Sequence, residues 1–217
     1  MISTSSRPSQ STPRRRAVTS HPLRRGMLVG LEFAGGAGYD YVANRAVTLK
    51  TLTGGSAGEF GLVSNGVDTD GAEYNSPRLG GLTANGDLAL AWHATNMSGT
   101  GMLLALVNGG YNGIGVAANS VRRNSSGSAL AAYTSTLSPR PYVYVQTSGT
   151  ALLYAAGKAT PIASGTPTFD TATLTRLWFL KNPYLGGSQA AAAGSLVNRA
   201  YVWNRALSAA EAVEWMA

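Results

Sequence analysis

The chain has no cysteine and only two histidines among its 217 residues. A disulfide framework and any thiolate metal centre are thereby excluded. Charge is scarce as well: 12% of residues are Asp, Glu, Lys or Arg, against about a quarter in an average domain. That scarcity disfavours a coiled coil, a helical bundle and an extended disordered chain. No apolar run reaches the roughly 18 residues of a membrane-spanning helix, so no membrane partner is expected. What is abundant is glycine, at 27 residues, in a chain that is 44% hydrophobic. This length can bury one sizeable core, and an all-β sandwich can use it in one domain.

The excess charge of +7 is unevenly placed. Residues 1–25 hold Arg7, Arg14, Arg15, Arg16, Arg24 and Arg25 and no acid, so the rest of the chain is nearly neutral. Residues 1–22 are dominated by Ser, Thr, Pro and Arg, with Ile2, Ala17 and Val18 as aliphatic residues. Such a segment cannot offset its own ordering entropy by burial. It lacks the apolar stretch of a secretory signal, and its prolines oppose an amphipathic transit helix. Two readings stand: a solvated tail, or an arm ordered on a partner, its arginines seeking carboxylates or phosphates. The expected organisation is an extended arm over 1–22 and a sandwich domain over 23–217. Without interleaved aromatics, the arm is a weak match to nucleic acid.

From Met27 onward, short alternating segments are separated by Gly, Asn, Ser and Pro. Alternation predicts strands over 27–33, 87–95, 101–107, 112–118, 128–134, 141–147, 150–157, 174–181 and 194–203. Met27, Val29, Leu31 and Phe33 share one face of the first, opposite Gly30 and Glu32. Leu88, Leu90 and Trp92 share a face opposite Ala89, Ala91 and His93. Ser148-Gly149 reads as a hairpin turn, and residues 122–127, RRNSSG, as a polar turn. Many strands at this spacing predict a sandwich or barrel. One helix closes the chain, where Ser208 and Glu211 make a capping box and Leu207, Val213, Trp215 and Met216 supply packing surface.

The run AYVWNRALSAAEAVEW (200–215) resembles the closing signature of laminin-G-like, concanavalin A-like jelly rolls, carried by Trp203, Asn204, Arg205, Ala206, Leu207, Ser208 and Glu211. Residues 21–44 and 58–74 are similar to that family's opening strand and to one of its hairpins. The resemblance implies a two-sheet antiparallel jelly-roll sandwich with a short C-terminal helix. Many members of that fold bind Ca²⁺ or sugar through clustered Asp and Asn. A hard cation needs six or more oxygen ligands. Here the one cluster, Asn65, Asp68 and Asp70, reads as a turn and strand edge in solvent. No metal and no cofactor are expected.

Enzymatic readings fare poorly. Asp68, Asp70 and Glu73 mimic the spacing of acids in glucanases of this fold, but alternation turns Glu73 to the opposite face. His93 has no nucleophile elbow to serve. No catalytic residue is assigned. Trp92, Trp178, Trp203 and Trp215 read as core, whereas Tyr39, Tyr41, Tyr111 and Tyr184 fall in expected turns and are candidate surface contacts. Tyr142 and Tyr144 share a strand face. They form a surface stripe if Val143 and Val145 point inward, and cap the edge of the core otherwise.

Jelly-roll domains of this kind resemble bacteriophage virion proteins. The analogy implies a non-enzymatic capsid decoration protein, assembled in the host cytoplasm and lying on the capsid exterior. Its arginine arm would dock on the major capsid protein or another virion protein, and a dimer or trimer is expected. The alternative is a carbohydrate-binding, lectin-like module of a phage tail or surface protein. A weaker third reading is a nucleic-acid partner engaged through the arm.

Overall fold

The computed structural model describes residues 21–34, 37–47, 55–58, 61–64, 72–80, 82–83, 86–95, 102–108, 113–117, 120–123, 129–132, 140–167, 173–180, 191 and 193–217. Arg7, Arg14, Arg15, Arg16, Asn65, Asp68, Asp70, Tyr111 and Tyr184 lie outside the described residues.

In chain order the strands are β1 (Met27–Ala34), β2 (Ala37–Asp40), β3 (Arg45–Val47), β4 (Gly55–Gly58), β5 (Gly61–Ser64), β6 (Ala72–Asn75), β7 (Leu82–Thr83), β8 (Leu88–Thr95) and β9 (Met102–Val107). They continue as β10 (Gly113–Ala117), β11 (Ser120–Arg123), β12 (Ala129–Ala132), β13 (Arg140–Gln146), β14 (Ala151–Ala155), β15 (Ala163–Gly165), β16 (Thr173–Leu174), β17 (Arg176–Phe179) and β18 (Leu196–Trp203). A 3₁₀ turn, Pro22–Arg24, precedes β1, and helix α1 (Ala209–Met216) follows β18. Ser208 caps α1 by accepting from the Glu211 amide, while the Glu211 carboxylate reaches back to the Ser208 amide.

The larger sheet orders its strands β15, β14, β13, β8, β18, β1, β2, β3, with β5 also on β18 and β4 on β5. The second sheet runs β12, β11, β10, β9, β17, β6, and β16 pairs β7 apart from both. Each pairing between described strands is antiparallel. The inner faces of the two sheets close on one core. Val29, Leu31 and Phe33 of β1 and Leu88, Leu90 and Trp92 of β8 meet Leu104 and Leu106 of β9 and Leu177 and Phe179 of β17. Phe33 and Phe179 join the layers edge to face at 5.4 Å. The protein is an all-β antiparallel sandwich with one short C-terminal helix.

A second, smaller core lies on the opposite face of the larger sheet. There α1 lays Ala212, Trp215 and Met216 over Ala89, Ala91, Val143, Val145, Tyr154 and Trp203. Strands β8 and β13 are thus covered on both faces, which is why their segments read as almost continuous apolar runs.

That double coverage decides the orientation of Tyr142 and Tyr144. Register sets Tyr142 beside Trp92 and Tyr144 beside Leu90, so both rings point into the main core and are fully buried. Neither forms a surface stripe. Tyr142 stacks on Trp92 with centroids 5.5 Å apart. The Tyr144 hydroxyl donates to Gln146 Oε1 at 2.8 Å, and Gln146 Nε2 donates to the Gly86 carbonyl. Val143 and Val145 are buried too, beneath α1 rather than in the sandwich.

Three other expectations change. A register shift between Met27 and Val29 carries Met27 away from the face of Val29, Leu31 and Phe33 and onto the helix side. Arg122 and Arg123 belong to strand β11 rather than to a turn, and Arg122 Nε donates to Ser120 Oγ at 2.6 Å. Trp178 is half-buried, unlike the fully buried Trp92 and Trp203. Its place opposite Glu73 and Ala105 in register is on the outer side of the second sheet, away from the core that takes Leu177 and Phe179.

Candidate functional site

At the edge of the area that α1 covers, the outer face of the larger sheet turns polar. Because Leu31, Phe33, Trp92 and Ala200 point inward, alternation turns their neighbours outward. Register then lines up Tyr39 of β2, Glu32 of β1, Arg199 of β18 and His93 of β8 in one row across four strands. Tyr201 stands beside the row, over Gly30. A Cβ at residue 30 would lie 3.2 Å from the Tyr201 ring, so glycine lets the ring settle against the sheet.

The Tyr201 hydroxyl donates to the Glu32 carboxylate at 2.5 Å, and Tyr41 lies near enough to feel the charge of that carboxylate. Burial, reinforced by the negative charge of Glu32, raises the pKa of both phenols, so each keeps its proton and acts as a donor. Burial and the neighbouring Arg199 lower the pKa of His93, leaving a neutral imidazole near pH 7. The Arg199 guanidinium lies 4.8 Å from the centroid of the Trp215 ring, while its Nε is buried without a hydrogen-bond partner. Tyr201 meets Trp215 edge to face at 5.5 Å and stacks on Trp203 at 5.9 Å.

The turn between β2 and β3 displays the exposed part of this surface. Asp40 is fully buried, and its Oδ1 accepts from the amides of Val42 (2.9 Å) and Ala43 (3.1 Å). Its Oδ2 takes the Tyr74 hydroxyl, which in turn accepts from Arg45 Nη2. Asn44 closes the turn in the left-handed region, at φ 52°, which asparagine tolerates well. Tyr41 is held out of this turn with 43% of its surface exposed, and Tyr39 meets it edge to face at 5.0 Å. The Tyr39 hydroxyl donates to Asn44 Oδ1 at 2.8 Å.

Of the remaining described acids, all but exposed Asp87 are paired. Glu73 pairs with Arg176 at 3.5 Å, Glu214 with His21 at 2.8 Å, and Glu211 with Arg205 at 2.6 Å. Arg205 is a terminal clamp. It grips Glu211 with both Nη atoms and also donates to the carbonyls of Pro22, Arg25 and Ala206. Trp203 Nε1 donates to the Leu23 carbonyl, and the Asn204 amide to that of Gly26. Residues 21–26 are therefore stitched to the end of β18 and the start of α1. Among the described residues no three His, Asp or Glu side chains gather as metal ligands.

The structure thus brings Tyr39 and Tyr41 to one surface, places Arg24 and Arg25 exposed at the N-terminal turn, and sends Tyr142 and Tyr144 inside. Sequence reasoning missed Glu32, Arg199 and Tyr201 as partners. The available signal was a charged or phenolic side chain at the outward position of strands whose inward positions are all apolar.

No protein-family model matches the chain, and no curated protein matches its sequence. Solved structures do share its fold. Trypanosoma rangeli sialidase in complex with sialic acid is similar at 17% identity and a TM-score of 0.58, over 88% of this chain and 32% of that one. The botulinum neurotoxin type G receptor binding domain is similar at 10% identity and a TM-score of 0.61, over 88% of this chain and 51% of that one. The chain therefore spans about a third of the sialidase and half of the toxin domain. At such identities the likeness concerns fold alone. It agrees with a concanavalin A-like sandwich and contains no link to a phage particle.

Proposed function

We propose that this chain is a non-catalytic binding module whose outer sheet face takes a carbohydrate borne on a receptor or other surface. One observation carries the reading: exposed Tyr41, braced edge to face by half-buried Tyr39, sits beside a row of hydrogen-bonding side chains. An aromatic face packs against the C–H face of a sugar ring, while Asn44, Glu32, Arg199 and His93 offer donors and acceptors to its hydroxyls. The described carboxylates other than exposed Asp87 are each engaged by a donor or a cation. The phenols beside Glu32 are held protonated. Both facts favour holding a ligand over transforming it. The sialic acid held by the sialidase and the receptor binding of the toxin domain support the same class of ligand. On a glycan array, Tyr41→Ala is expected to weaken binding by about tenfold or more at unchanged thermal stability. Undiminished binding by this variant would overturn the reading.

A second reading is favoured by the cationic root of the leader. Arg24 and Arg25 are exposed where the chain enters the body. In this reading the protein is a phage capsid decoration protein, a dimer or trimer on the virion exterior whose leader docks on the major capsid protein. Purified protein mixed with empty shells should then co-sediment, and a chain lacking residues 1–20 should not. The deletion stops at residue 20 because His21 and Pro22 belong to the terminal clamp. Co-sedimentation of the shortened chain would count against docking through the leader.

A further inference from the structure

We infer that the N-terminal turn is a second, preformed interaction surface, shaped to take an acidic polypeptide segment between Arg24 and Arg25. The inference is independent of the carbohydrate reading and does not require the partner to belong to a virion.

The backbone of this turn is fixed from several sides. Trp203 Nε1 holds the Leu23 carbonyl, Arg205 holds those of Pro22 and Arg25, and the Asn204 amide holds that of Gly26. Within the turn the Arg24 amide donates to the His21 carbonyl and the Arg25 amide to that of Pro22. Main-chain atoms make these bonds, and among the described residues no hydrogen bond or ion pair engages the Arg24 or Arg25 side chain. Both residues are exposed, beside an open cleft lined by His21, Pro22, Arg24, Arg25, Arg205 and Glu211.

Charge within the cleft then sorts itself. Arg205 is neutralised by Glu211, whose two oxygens it meets at 2.6 and 2.9 Å. His21 Nε2 is taken by Glu214 at 2.8 Å. Among the described residues, Arg24 and Arg25 make no ion pair, so the cleft is lined by two cations whose backbone is rigidly held. Guanidinium forks bind carboxylates bidentately, and a preformed mount spares the partner the ordering cost of the turn. The chemistry favours protein carboxylates over other anions. Residues 1–25 contain no Phe, Tyr or Trp to stack on nucleobases, and Leu23 is drawn into the helix-side core instead of being available to a lipid surface.

The test titrates the full chain into a short fluorescent poly-glutamate peptide at near-physiological salt, with a thymidine oligonucleotide of equal charge as comparison. The peptide is expected to bind more tightly than the oligonucleotide, and Arg24→Gln/Arg25→Gln to weaken it by about tenfold at unchanged thermal stability. Tyr41→Ala is expected to bind the peptide as the parent does. Equal or tighter binding of the oligonucleotide, undiminished peptide binding by the double variant, or no peptide binding at all would each overturn the inference.

Discussion

Arg205→Ala is expected to cost about 2–4 kcal/mol of folding stability, read as a lower urea midpoint and a lower Tm. The side chain is 23% exposed and its partner Glu211 19%, so the pair is well withdrawn from solvent. Truncation removes bonds to the carbonyls of Pro22, Arg25 and Ala206 together with both contacts to Glu211. It also leaves a half-buried carboxylate without its cation, the more damaging way to break a pair. The loss should track pH. Above all Arg205, then the Ser208 bonds, hold the Glu211 carboxyl down at about 2 against the opposing effect of burial. A carboxyl depressed in the folded state contributes its stability above the unfolded value of 4.5 and loses it as pH falls towards about 2. The gap between parent and variant should therefore be full at neutral pH and narrow through acid. A gap that stays constant on acidification would show that the ion pair contributes little.

The other large effect belongs to the main core. Trp92→Ala should destabilise by about 3–5 kcal/mol, because a fully buried indole leaves a cavity that the stacked Tyr142 cannot refill. Trp92→Phe should behave very differently. The Trp92 indole N–H is buried with no hydrogen-bond partner among the described residues, so phenylalanine keeps most of the packing and removes an unsatisfied donor. Its cost should be smaller, about 1–2 kcal/mol, because only the volume of the second ring is lost. Chemical denaturation of the two variants checks both values. A large loss in Trp92→Phe would mean that the N–H has a partner after all, a buried water being the obvious one.

Much of this architecture was legible in the sequence, and the reasons are local. Period-two alternation located β1, β8, β9, β13, β14 and β18, and the Ser208–Glu211 spacing located α1. What escaped depends on distant partners. Tyr142 and Tyr144 could be oriented only by knowing that α1 covers Val143 and Val145, since both faces of β13 are apolar. Arg122 and Arg123 imitate a turn because charged residues with Asn, Ser and Gly after them read as a loop, whereas Arg122 in the strand bonds buried Ser120 two residues back. His21 and Pro22 read as tail because their hold on the body comes from Arg205 and Glu214 at the far end of the chain. The candidate site followed the same rule. Tyr41 announced itself as a turn tyrosine, while Tyr39, expected in a turn, lies in strand β2; Glu32, Arg199 and Tyr201 become neighbours only through the register of β1 with β18. No composition or spacing signal encodes that register across more than 160 residues.

The measurement closest to the central proposal is hydrogen–deuterium exchange of the full chain with and without a glycan selected from the array. Slowed exchange is predicted in the turn over residues 41–44 and in the centres of β1 and β18 around Glu32 and Arg199, with the second sheet unchanged. Failure of every glycan to bind saturably, or protection confined to some other face, would contradict it.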